Sequence, residues 1–309
     1  MPISSKSILN KKPSPEAMNQ SMMTLIKKVH GLIENVDIEK HRHSQDQVGT
    51  LLGNVKDVLI RNVQIQDMEA EWVSVERAHM KKYIILYCHG GGYSTGSRLY
   101  ARTLTTKLAT STSMDVLCFD YRLAPENPYP SALEDALKAW DYLMLLGYGA
   151  RDVIVAGDSA GGNMAMTLVL KLKEMGRILP RGLVLMSPWT DLTSSGKTHQ
   201  TRAEVDPVLD ADYLEKMIQN YAQDEDLSNP FISPLFGDLT GFPPVYIQVG
   251  DNEVLLSDAT MLHKKLVSLN VSAKLDIFKG MWHVFQMSPL KTAYDAMEKN
   301  AEFIFDICR

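Results

Sequence analysis

Val153, Ile154, Val155 and Ala156 form an apolar run that passes directly into Gly157, Asp158, Ser159, Ala160 and Gly161. A strand that becomes a helix within so few residues leaves no space for side chains beside the corner. Glycine two residues before and two residues after the serine is what such a strained turn requires, and the turn holds a single hydroxyl clear of the backbone. The pattern commits this stretch to a strand, a sharp turn and a helix. It also makes Ser159 a candidate nucleophile.

Upstream, residues 82–88 read as a buried strand rich in aliphatic and aromatic side chains, and they run into His89, Gly90, Gly91, Gly92 and Tyr93. Consecutive glycines leave backbone amides uncovered, and uncovered amides stabilise the negative oxygen that forms when a hydroxyl attacks a carbonyl. The expected donors are the amides of Gly91, Gly92 and Ala160, with Gly90 shaping the loop. A serine also needs a base, and in a strand–turn–helix arrangement of this kind a carboxylate and then a histidine follow it in the chain. His263 and His283 lie far enough downstream. His263 sits in a stretch of helical periodicity beside Lys264 and Lys265, as a solvated helix residue would. His283 follows Gly280, Met281 and Trp282 on a loop beyond the strand-like residues 273–278, where functional side chains concentrate. The carboxylate must come from the loop after the strand at 245–249, which offers Asp251 and Glu253, and spacing alone leaves both open.

These segments, together with Asp120, Tyr121, Arg122, Leu123, Ala124, Pro125 and Glu126, resemble the hormone-sensitive-lipase-like family of bacterial esterases from about residue 60 onward. The resemblance implies an α/β-hydrolase fold with an N-terminal helical cap. It also implies a serine carboxylesterase acting on short- to medium-chain acyl esters through an acyl-enzyme, with no metal or organic cofactor. Laid against the family's motif, Glu253 stands where many members carry the triad aspartate, and a subgroup of the family has glutamate there. The resemblance therefore favours Glu253 over Asp251. The segment from Asp120 to Glu126 has a supporting role in the family, and its prolines, with Pro128 and Pro130, fix a rigid bend that would brace the glycine loop. Asp158 is expected to bond nearby backbone. Two other readings use the same residues: an amide or peptide hydrolase with the same triad, and a small-molecule-binding protein on this fold. Gibberellin receptors resemble the family but lack the catalytic histidine, whereas His283 is present here.

A chain of 309 residues that is 45% apolar can bury a large core. Its net charge of −5 argues against a nucleic-acid surface, and the pairs Lys11–Lys12 and Lys27–Lys28 read as solvated faces. No apolar run is long enough to span a membrane, the N-terminus is polar, and three cysteines without a pairing framework fit a cytoplasmic setting. Cys88 and Cys118 read as small buried hydrophobes. The expected partner is a small ester, with a homodimer possible through an edge strand, as in the resembled family.

Strand patterns at 83–88, 116–119, 153–156, 183–186, 245–249 and 273–278 alternate with helical stretches at 131–146, 162–174, 258–269 and 293–307, which predicts a mostly parallel twisted sheet with helices on both faces. Trp72 and Val73 are expected to begin an antiparallel edge. Met18, Met22, Leu25, Ile26, Val29, Leu32 and Ile33 recur at helical spacing from residue 16 to about residue 39, followed by a polar break at 40–43. Residues 1–45 are therefore expected to form cap helices and residues 46–309 the catalytic domain. A second cap segment is expected at about 190–230, where Asp206, Pro207 and a helix at 210–221 interrupt the rhythm. Tyr93 and Trp189 are expected to wall an acyl pocket, and Phe285 to lie in the core.

Overall fold

The computed structural model describes residues 15–33, 37–77 and 82–309, without the side chains of residues 15 and 29–33. The start of the 1–45 segment, with Lys11, Lys12 and Pro13, lies outside them, as do the side chains of Val29, Leu32 and Ile33. Strands β1 (Val58–Ile65), β2 (Met68–Val75), β3 (Ile84–Cys88), β4 (Asp115–Phe119), β5 (Val153–Asp158), β6 (Gly182–Met186), β7 (Val245–Gly250) and β8 (Ala273–Phe278) form one sheet in the order β1-β2-β4-β3-β5-β6-β7-β8. β1, β2 and β4 pair antiparallel, and every pair from β4 to β8 is parallel.

The helices are α1 (Pro15–Ile33), α2 (Ile38–Leu52), α3 (Arg98–Thr112), α4 (Ser131–Leu145), α5 (Ala160–Glu174), α6 (Thr198–Thr201), α7 (Ala211–Ala222), α8 (Leu256–Ser268) and α9 (Lys291–Cys308). Strands buried on both sides read as continuous apolar runs, because successive side chains enter opposite layers. In β3, Ile84, Leu86 and Cys88 join the layer of α4, α5 and α8, with Trp140, Met164, Leu168, Leu262 and Leu266. Ile85 and Tyr87 join the opposite layer of α3 and α9, with Leu104, Leu108, Met297 and Ile304. Each such buried aliphatic side chain contributes about 2 kcal/mol of transfer free energy.

Two expectations need correction. Trp72 and Val73 belong to β2, which is an inner strand; β1 covers it and forms the true edge. β1 escaped notice because solvent wets much of it, so its burial alternates irregularly. Residues 40–43 are not a break but the first part of α2, which Asp37 starts by accepting the amide of Glu39 at 3.0 Å. That helix lies so close to α3 that a Cβ on Gly49 would stand 2.3 Å from the Leu99 carbonyl oxygen.

The register decides what meets at the carboxyl edge of the sheet. Cys88 lies opposite Gly157, Asp158 opposite Met186, Met186 opposite Gln248, and Gly250 opposite Phe278. The segments that follow β3, β5, β6, β7 and β8 therefore emerge side by side, as ligand-binding loops do in open parallel sheets.

Candidate active site

Ser159 occupies the corner between β5 and α5 with φ 54° and ψ −121°, a conformation that non-glycine residues rarely adopt. The corner is held from several sides. The Ser159 amide donates to the Met186 carbonyl at 3.0 Å, and its own carbonyl accepts from Trp189 at 3.1 Å. A Cβ on Gly161 would lie 2.0 Å from the Cys88 carbonyl oxygen, and one on Gly157 would lie 2.3 Å from the Gly161 carbonyl oxygen. Glycine at both positions is thus a packing requirement.

His283 lies with Nε2 2.9 Å from the Ser159 hydroxyl and Nδ1 3.0 Å from Glu253 Oε2. Burial pulls the imidazole pKa down, but the hydrogen bond and charge of Glu253, helped by the charges of Asp206 and Asp158, outweigh burial and raise it above its ordinary value. The other carboxylate oxygen of Glu253 accepts from the Gly250 amide and, at 2.9 Å, from the Ser187 hydroxyl. Ser187 in turn accepts the Val284 amide at 3.1 Å, tying the acid to the residue after the histidine. Asp251 is directed elsewhere: its carboxylate accepts the Gly280 amide at 2.6 Å and shapes the turn that leads to His283. His263 lies on α8, away from this group.

In the glycine loop, Gly91 has φ 110° and Gly92 φ 60°. No acceptor among the described residues pairs with the amides of Gly91, Gly92 or Ala160, the last at the start of α5, whose aligned peptide dipoles favour negative charge. The Gly90 amide is occupied, donating to Asp158 at 3.0 Å. Asp158 also accepts from the Tyr87 hydroxyl at 2.6 Å and the Tyr100 hydroxyl at 3.2 Å, so a fully buried carboxylate joins the serine turn to the loop. From behind, the Tyr121 hydroxyl donates to the His89 carbonyl at 3.0 Å and the Ala124 amide to that of Tyr93 at 2.9 Å.

Comparison with known proteins shows the family and the fold. Residues 85–287 match the family model of the α/β hydrolase fold. An esterase from Acinetobacter venetianus is 35% identical over 243 residues, covering 78% of this chain and 80% of that protein. An acetyl-hydrolase from Streptomyces hygroscopicus is 36% identical over 251 residues, covering 81% of this chain and 83% of its own. The chain belongs to the α/β hydrolase family. Among solved structures, a hormone-sensitive lipase from a metagenome library superposes on this hydrolase with a TM-score of 0.90 at 34% identity, covering 94% of this chain and 98% of that one. The hydrolase is thus a member of the hormone-sensitive-lipase-like esterases.

A cavity of about 60 Å³ opens at the serine of this hydrolase, bordered by Ser159, His283, Gly91, Gly92 and Trp189. Gln45 of α2, Tyr100 of α3, Val208, Leu209, and Tyr213 and Leu214 of α7 complete its walls. Trp189 lines it. Tyr93 does not: it stacks on Tyr221 with ring centroids 3.7 Å apart and donates its hydroxyl to Asn163 at 2.7 Å, which makes it a core residue of the loop. Phe285 is fully buried, and burial pushes the Cys88 thiol up, out of reach of ionisation at neutral pH. The helix at 210–221 is marked in the sequence as a cap segment, but no local pattern singles out Ser187 or Gln45; only long-range packing brings them near the serine.

Proposed function

We propose that this carboxylic ester hydrolase works through Ser159, His283 and Glu253. The Ser159 oxygen attacks the ester carbonyl carbon while its proton passes to His283 Nε2. Glu253 holds the Nδ1 proton of His283 and stabilises the positive ring. The carbonyl oxygen, now negative, accepts the amides of Gly91, Gly92 and Ala160. The intermediate collapses, the alcohol departs with the proton from His283, and an acyl-serine remains. A water molecule, deprotonated by His283, then releases the carboxylic acid and restores the serine. The observation that carries this reading is the single ring bridging hydroxyl and carboxylate at 2.9 and 3.0 Å.

The reading extends to the walls. We infer that α1, α2 and residues 190–230 act as a cap over the serine. Gln45, Val208, Leu209, Tyr213 and Leu214 reach the cavity from these segments, and Lys27 of α1 donates to the Glu204 carbonyl at 2.9 Å. The small cavity and its mixed polar and apolar border favour short acyl chains over long ones. Among the described strands β8 has a neighbour on one side only, and we propose that its other edge takes a second copy; a monomer by light scattering at working concentration would count against the dimer. Unpaired cysteines support a cytoplasmic setting, which recovery of the activity outside the cell would contradict.

The test is hydrolysis of p-nitrophenyl butyrate by Ser159→Ala. Turnover is expected to fall by about a thousandfold or more. Unchanged turnover would reject the mechanism.

A further inference from the structure

Among the buried carboxylates that do not touch the reacting atoms, Asp206 is bonded both to the cavity border and to the Glu253 loop. Asp206 lies in the segment between α6 and α7 and is 4% exposed. Its Oδ1 accepts the amides of Val208 at 2.9 Å and Leu209 at 3.1 Å, and both residues wall the cavity at Ser159. Its Oδ2 accepts the amide of Val254 at 2.9 Å, the residue after Glu253. We propose that Asp206 is a positioning residue that locks the acyl-pocket wall to the loop carrying Glu253, so that the site which selects the substrate and the site which orients His283 move as one.

The inference rests on the reading of Ser159, His283 and Glu253 as the triad. The chemistry is specific to an ionised carboxyl group, whose two oxygens both accept. An asparagine of the same shape has one accepting and one donating end, so in either orientation an NH2 faces a backbone N–H and one half of the lock opens. Asp206 also presents a negative charge to His283 alongside those of Glu253 and Asp158, and these three are the titratable groups that act on it most strongly. Burial pushes its pKa up to about 6, against the pull of His283 and with the help of Glu253. At neutral pH it remains mainly the anion that the three amides require.

The experiment measures kcat/KM against pH for p-nitrophenyl butyrate and octanoate, with folding checked by circular dichroism. In Asp206→Asn, kcat/KM is expected to fall about tenfold to a hundredfold. The acid limb moves to lower pH, because an anion facing the imidazole is gone, and the butyrate-to-octanoate ratio changes severalfold. Asp206→Glu retains the charge but not the reach, so its acid limb stays while its ratio changes. Glu253→Gln loses turnover with the ratio unchanged. A folded Asp206→Asn with wild-type limb and wild-type ratio overturns the proposal. If that variant does not fold, Asp206→Glu decides, and a wild-type ratio there overturns it. Persisting turnover in Ser159→Ala would instead defeat the triad reading, so the two failures are distinct.

Discussion

With Glu253 against Nδ1 and Ser159 against Nε2, the His283 ring is satisfied only with its proton on Nδ1 and its lone pair toward the hydroxyl. Glu253→Gln removes the charge that favours this tautomer and the positive ring, and kcat is expected to fall by about a thousandfold or more. A protonated imidazole cannot take the serine proton, so kcat/KM declines as pH drops through the raised pKa of His283. Removing Glu253 lowers that pKa, and the residual activity should therefore keep its plateau to lower pH, as a kcat/KM profile would report. Asp251→Asn still presents an oxygen to the Gly280 amide and should retain activity within about threefold. Ser159 and His283 were legible because each follows a strand at a turn with its own local pattern. Asp251 and Glu253 were separable by resemblance but not by spacing, since both leave the end of β7 within three residues and only the path of the loop tells them apart. Ser187 and Asp206 were invisible as partners: they meet the acid loop across 66 and 48 residues of chain, and no short-range pattern marks such a contact.

At the scale of elements, α7 and α2 border the cavity at the serine. A Cβ on Gly92 would meet Met217 of α7 at 2.7 Å, so this helix rests directly on the glycine loop. Truncating a wall side chain should widen the cavity without touching the chemistry. Leu214→Ala is expected to raise the octanoate-to-butyrate ratio of kcat/KM by about tenfold, the scale on which apolar pockets discriminate methylenes, and to cost about 2–3 kcal/mol of stability as a buried truncation. A parallel ester series and thermal unfolding would check both. Helix α2 is docked through Arg42, whose guanidinium donates to the Ser94 and Ala124 carbonyls at 2.9 Å each and to Glu126. Arg42→Ala should therefore raise KM more than it lowers kcat, seen by steady-state kinetics. The apolar strands of the parallel sheet could be read from sequence because both faces are buried. Residues 40–43 could not, because the polar groups that look like a break are what α2 uses to grip the loop.

For the whole molecule, acid stability has an identifiable source. His89 is 1% exposed and stacks on Tyr121 with ring centroids 4.0 Å apart, and its Nε2 has no partner among the described residues. Burial pulls its pKa down to about 4, against the opposing Gly90 hydrogen bond and the charge of Asp46. The unfolded chain binds the extra proton first, at the ordinary value near 6.5. This contribution to stability is complete above that value, shrinks as pH falls toward about 4, and amounts to about 2 kcal/mol lost by about pH 5. In His89→Gln the decline of Tm between about pH 7 and about pH 5 should be shallower than in the wild type, as calorimetry would show.

The buried link from Asp158 to Gly90 fixes the serine corner and the donor loop to the sheet together, whereas the walls arrive on peripheral helices. Descendants of this chain can consequently acquire new diets of esters by altering Leu209, Tyr213 or Leu214, leaving the bond-breaking apparatus as they inherited it.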